Sequence, residues 1–221
     1  MPTKTENPAS KPARRGYGGR SAEELAAERR ARLMEAALEL FGTQGYAATP
    51  VEKLCSAAKV TTRHFYEQFA DREALLIAVF EQVMDETRQR VMAALMTPGP
   101  AENRFLVALE AFIDAQLEDP RRARLTTTEV LGVSPRVEAQ RNAVIHGFAE
   151  LVEVYAGVLV SKGELPARNY RVLAFGIVGA MHELQITWLN QAATLSREAL
   201  KVEILFLVQA FLTGAKALNK A

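Results

Sequence analysis

Residues Lys59–Leu75 read KVTTRHFYEQFADREAL. Val60, Phe65 and Phe69 are spaced to fix a short helix against a core, yet between them stand Thr61, Thr62, Arg63 and His64, which a core would not select. Thr61 is placed to cap that helix, with Val60 and Phe65 as a hydrophobic staple across its first turn. Upstream, Thr49-Pro50-Val51-Glu52 reads as a helix start with a Thr cap, proline at the first helical position and glutamate at the reciprocal capping position. Val51, Leu54, Cys55 and Ala58 then supply one buried face before a tight turn at Lys59 and Val60. Earlier still, Ser21 and Glu24 form a capping box, and Leu33, Ala36, Ala37, Leu40 and Phe41 make an amphipathic stripe that Gly42 and Gly45 are expected to end. Downstream, Asp71 caps a fourth helix that runs until Pro98 and Pro100 break it.

Short helices joined by a tight turn make a helix-turn-helix, in which one helix braces across the DNA backbone while the next lies in the major groove. The polar first turn of the third helix then has a purpose. Arg63 can present a bidentate fork to guanine, Thr62 can meet base edges or a thymine methyl, and His64 can donate or accept. Charge is arranged accordingly: residues 1 to 72 carry 12 Lys and Arg against 9 Asp and Glu in a chain whose net charge is +1. Residues 1–20, rich in Pro, Gly, Ser, Lys and Arg, read as a disordered basic arm.

From Arg30 to Leu76 the chain resembles the TetR family of transcriptional regulators, through the stripe ending LELFGTQGY, then Thr49, then VEKLCSAAKVTTRHFYEQF and DREALL. The resemblance implies that Thr61, Thr62, Arg63 and His64 face the groove and that Thr49, Tyr66 and Arg72 touch phosphate. Two positions depart from the family pattern. Lys59 stands where glycine is common, at a left-handed turn position that costs a non-glycine residue about 1 kcal/mol, and is assigned to phosphate instead. Pro50 replaces a hydroxyl residue and has no donor to offer.

The remainder is helical: Ala101–Glu118, a shorter helix from Arg121 to Leu131, a long one opened by Ser134-Pro135 through Leu159, and two more at Ala167–Leu189 and Ser196–Leu218. With 221 residues, 49% of them hydrophobic, there is material for a sizeable core. Cys55 is the single cysteine, so no internal disulfide forms. The longest apolar run, VLAFGIVGAM, reads as too short to span a bilayer, and the N-terminus does not resemble a signal peptide, so a cytoplasmic protein is expected. None of the three histidines sits at metal-ligand spacing, and no Gly-rich phosphate loop or nucleophile elbow occurs, so no metal, cofactor or catalytic residue is expected.

His146, Tyr155, His182, Gln185 and Trp188 are polar or amphipathic groups on apolar helices, as a small-molecule pocket would use. Gly176 and Gly179 permit close helix approach, and Leu200, Ile204, Leu207, Val208 and Phe211 form a wide apolar stripe, so these residues are the candidate dimer interface. The expected architecture is all-α: a basic arm (1–20), a three-helix helix-turn-helix domain (21–76), and a larger helical ligand-binding and dimerisation domain (77–221). The expected function is a homodimeric repressor, released from a palindromic double-stranded operator by a small apolar effector. The rival is an all-α small-molecule binding protein or enzyme whose front helices are only scaffold.

Overall fold

The computed structural model describes residues 21–191 and 194–217, and the expected basic arm lies outside them. Helix α1 (Ala22–Gln44) starts on the capping box: the Ser21 side chain accepts from the Glu24 amide at 3.0 Å, and the Ser21 amide donates to the Glu24 carboxylate at 2.6 Å. It ends at Gly45, whose φ of 91° suits glycine. Gly42 does not end the helix. It lies inside the last turn, where a Cβ would come within 2.5 Å of the Arg121 Cβ, so glycine there lets a later helix pack against α1.

Helix α2 (Val51–Ala58) follows, then α3 (Thr62–Gln68) and α4 (Arg72–Leu95). The start of α2 differs from the sequence expectation, because Pro50 is the cap residue and makes no side-chain cap bond. Thr49 instead turns inward and donates from Oγ1 to the Gly45 carbonyl at 2.8 Å, which satisfies a carbonyl at the end of α1. The caps of α3 and α4 form as expected, with the Thr61 side chain accepting from the His64 amide and Asp71 from that of Ala74.

Helix α5 (Ala101–Leu117) packs along α4, and α6 (Pro120–Arg124) crosses to α1. The single helix expected from Arg121 to Leu131 is divided: after α6 the backbone widens into a π-helical turn, Leu125–Glu129, a form that commonly marks functional sites. Helix α7 (Pro135–Ser161) opens on Ser134 as expected. Helix α8 (Arg171–Gln191) begins later than the sequence reading had it, since Asn169 Oδ1 takes the Arg171 amide at 2.8 Å and forms the turn before it. Helix α9 (Arg197–Ala217) completes the described chain.

Two clusters of buried side chains result. One unites Leu33, Phe41, Leu54, Phe65, Phe69 and Leu76 and continues into Val79 and Phe80 of α4, Leu125 and Val130 around the π turn, and Phe148 of α7. The other joins the end of α4 to α5, α7, α8 and α9. Helices α7 and α8 are long and apolar enough to cross a membrane by length and composition, contrary to the expectation from the VLAFGIVGAM run. Their apolarity has another cause: each faces this core on one side and a cavity on another.

The α9 stripe also divides. Leu200, Ile204 and Val208 are buried inside the chain's own core, at 0 to 1% exposure, which corrects their assignment to a dimer face. Leu207, with Val202 and Phe206, is exposed, and Phe211 is half-buried against the core. Gly176 and Gly179 lie on the exposed side of α8.

Candidate nucleic-acid interface and effector cavity

Phe65 is fully buried and holds α3 down, with Phe69 against it at 5.9 Å between ring centroids. Thr61, Thr62 and Arg63 are exposed, and the Arg63 side chain is 87% accessible, its Nε paired with Glu67 one turn on at 3.2 Å. His64 is half-buried, and its Nδ1 lies 2.9 Å from the Thr61 hydroxyl. Tyr66 is 57% exposed and rests edge-on against Phe65. Thr61 caps the short helix that carries the other three groove candidates and Tyr66. Lys59 adopts the left-handed conformation, φ 53° and ψ 46°, and its exposed side chain stands at the turn before that helix.

Two expected phosphate contacts have other duties. Thr49 is fully buried with its hydroxyl proton committed to Gly45, so its side chain cannot reach DNA. Arg72 places its guanidinium over the Tyr46 ring at 4.0 Å and donates from Nη1 to the carbonyls of Tyr46 and Thr49, at 3.2 and 2.9 Å. It ties the start of α4 to the loop before α2. The same loop is held from the other side, where the Tyr46 amide donates to the Glu129 carboxylate at 2.7 Å and Glu129 pairs with Arg124 at 2.9 Å.

Behind this module α4, α5, α7 and α8, with the π turn, line a cavity of about 110 Å³ whose side chains are mostly apolar, among them Leu95, Phe105, Leu109, Phe112, Ile145 and Phe148. One water needs only roughly 10–15 Å³, so there is room for a molecule. Of the sequence candidates, Tyr155, His182 and Gln185 line it. The Tyr155 hydroxyl donates to the Ala101 carbonyl at 2.8 Å, and its ring stacks on Phe105. His146 is exposed and meets Phe175, and Trp188 is a core residue, so neither belongs to the lining.

Sequence reasoning missed four polar lining residues. Gln116 donates to Thr87 at 2.7 Å and accepts from Thr126 at 2.8 Å, while Thr127 turns its hydroxyl to the Ala123 carbonyl. The fourth is Arg141, whose Nη2 lies 3.2 Å from His182 Nε2. The signal existed: Val137, Val144, Ile145, Phe148 and Val152 share one helical stripe, and Arg141 interrupts it. Burial first, then the neighbouring Arg141 charge, holds His182 below the usual imidazole range, against a hydrogen bond to the Thr127 backbone. No group of His, Cys, Asp and Glu that could hold a metal occurs among the described residues.

A capped recognition helix with a solvent-facing polar first turn, seated by aromatics over a bracing helix, defines a helix-turn-helix DNA-binding protein. Comparison with known proteins gives the particular family. Residues 33–79 match the family model described as bacterial regulatory proteins, tetR family. An HTH-type transcriptional activator, FasR of Mycolicibacterium smegmatis, is 27% identical over 172 residues, 78% of this chain and 77% of that protein. A TetR-family regulator from Syntrophomonas wolfei superposes with a TM-score of 0.76 at 16% identity, covering 85% of this chain and 96% of the other. FadR from Bacillus subtilis, solved in complex with stearoyl-CoA, superposes with a TM-score of 0.71 at 20% identity, over 80% and 96% of the two chains. Residues 33–79 thus carry a TetR-type helix-turn-helix domain, and most of the chain is similar to transcriptional regulators.

Proposed function

We propose that the protein is a homodimeric cytoplasmic repressor that grips a palindromic operator through α3 and is released by a ligand with a long apolar chain, of the acyl class. The observation that carries this reading is the apolar cavity between α4, α5, α7 and α8. The stearoyl-CoA bound by the B. subtilis FadR structure supports an acyl occupant. In this reading residues 21–76 bind DNA, with Thr61, Thr62, Arg63 and His64 toward bases and Lys59 and Tyr66 toward phosphates. Residues 77–221 hold the effector and the partner chain.

The mechanism is a shift of population. An effector moves the equilibrium only by as much as it binds one conformation better than another. Met84 and Phe80 of α4 and Thr126 and Thr127 of the π turn line the cavity, while α4 also carries the Arg72 clamp and the π turn carries Glu129. Filling the cavity therefore acts on both elements that hold the loop before α2. In a dimer, tilting these elements would change the separation of the two recognition helices away from one helical turn of DNA, roughly 34 Å.

Selection of duplexes from a random pool, followed by anisotropy titration over a range of salt, tests the reading. Enrichment of an inverted repeat, a steep loss of affinity with salt, and release by an acyl compound are expected. Absence of salt-dependent duplex binding would favour the scaffold alternative.

A further inference from the structure

Two polar groups of opposite character face the apolar cavity. The Thr87–Gln116–Thr126 group is closed: the Gln116 amide nitrogen donates to Thr87 and its oxygen accepts from Thr126, while the Thr87 hydroxyl donates to the Val83 carbonyl. Such a satisfied set fixes the packing of α4, α5 and the π turn and has little left for a ligand.

Arg141 is open. Arginine only donates, so its 3.2 Å contact with His182 Nε2 requires that nitrogen to be an unprotonated acceptor. His182 is then neutral, with its proton on Nδ1, in agreement with its lowered pKa. Arg141 Nε is sealed from solvent and has no hydrogen-bond partner among the described residues. No carboxylate among the described residues lies within ion-pairing distance of it, and exposed Glu138 acts on it only through space. A guanidinium at the wall of an apolar cavity, resting on a neutral imidazole with a donor unspent, is an uncompensated charge in a poorly solvated place. Such charges are ordinarily paired.

Resting on the acyl-effector reading, we propose that Arg141, positioned by His182, is the head-group subsite of the cavity and that the effector is an organic carboxylate seated on it. The tail of that ligand runs along α7 toward Phe105 and Tyr155. The lining positions Arg141 and Tyr155 are roughly 21 Å apart along the helix at 1.5 Å per residue, which suits an extended chain. The Tyr155 hydroxyl is already bonded to Ala101 and the ring is stacked, so that end offers only apolar surface. A thioester carries no charge at its carbonyl and would leave Arg141 unpaired. The geometry therefore separates a free acid from its thioester.

The test is calorimetric titration of the full chain with decanoate, methyl decanoate, decanoyl-CoA and benzoate, for the wild type, Arg141→Gln and Arg141→Lys. Wild type should bind decanoate at least tenfold more tightly than the methyl ester. Arg141→Gln should bring the two within threefold of each other, and Arg141→Lys should keep a preference for the acid. The thermal midpoint of unliganded Arg141→Gln should be no lower than wild type, since an uncompensated charge has been removed. A wild type that binds the ester or thioester as well as the acid, or an acid preference that survives Arg141→Gln, overturns the subsite while leaving the acyl-effector reading intact. Arg141-dependent binding of benzoate alone upholds the carboxylate subsite and removes the long-chain reading. Binding of none of the four overturns both.

Discussion

Arg72 and Lys59 show how single residues in this module divide between holding shape and meeting DNA. Arg72 Nη1 joins two loop carbonyls and the guanidinium covers the Tyr46 ring, so Arg72→Ala should lower unfolding stability by about 1–3 kcal/mol, the range for losing charge-assisted bonds and stranding their acceptors. Arg72→Lys should restore it only in part, because an ammonium can donate to the carbonyls but has no planar group to lay over the Tyr46 ring. Denaturant titration reads both, and a wild-type midpoint for Arg72→Ala would return the residue to phosphate contact. Lys59 predicts the reverse combination. Its left-handed backbone costs about 1 kcal/mol that glycine avoids, so Lys59→Gly should stabilise the fold by up to that amount. The lost cation should lower the salt slope of DNA binding by about one. Arg63→Ala, by contrast, should alter base preference while leaving the slope nearly unchanged, since Arg63 projects from the first turn of α3 with 87% of its side chain accessible. Equal losses on selected and random duplexes would place Arg63 on the backbone instead.

At the scale of elements, the π turn links the cavity to the DNA-binding module. Thr126 and Thr127 line the cavity at one end, and Glu129 at the other end holds the Tyr46 amide. Glu129→Ala should leave binding of a cavity ligand unchanged and weaken the ligand's effect on operator affinity. Paired titrations with and without ligand measure this, and an undiminished effect would assign transmission to α4 alone. The turn also marks where sequence reading stops. Helix starts at Ser21, Thr61, Asp71 and Ser134 were legible because each cap is a local pairing of side chain and amide three residues on. The expected cap at Thr49 failed because α2 starts one residue later, with Pro50 in the cap position, and the Thr49 hydroxyl turns inward to donate to the Gly45 carbonyl. LTTTE carries no local signature of a widened helix, and the role of Glu129 arises only when a residue 83 positions away is folded against it. The cavity was half legible: His182 and Gln185 stood out as polar on an apolar helix, whereas Arg141 required knowing which face of α7 is empty.

At the scale of the whole molecule, the outer face of α8 and α9 is the surface that a second copy of the chain would cover in the proposed dimer. The division of the α9 stripe allows the two roles of that helix to be separated by experiment. Ile204 is fully buried within the subunit, whereas Phe206 and Val202 are 69% and 62% exposed, beside Leu207 at 47%. Neighbouring α8 exposes Gly176 and Gly179, where an added Cβ would meet nothing within 4 Å, so a partner helix could come close. Ile204→Glu should therefore unfold the helical domain, because it buries a charge without a partner at a cost of several kcal/mol. Phe206→Glu should leave the monomer folded, since the new carboxylate meets water there, but should prevent two copies from pairing across this face. Sedimentation should then show a monomer with a wild-type helical spectrum. Operator affinity should fall toward the nonspecific level, because each monomer presents one recognition helix and loses the gain from gripping both half-sites at once. A Phe206→Glu protein that still sediments as a dimer and holds its operator would move the interface to another face, and the exposed apolar row on α9 would then need a different partner.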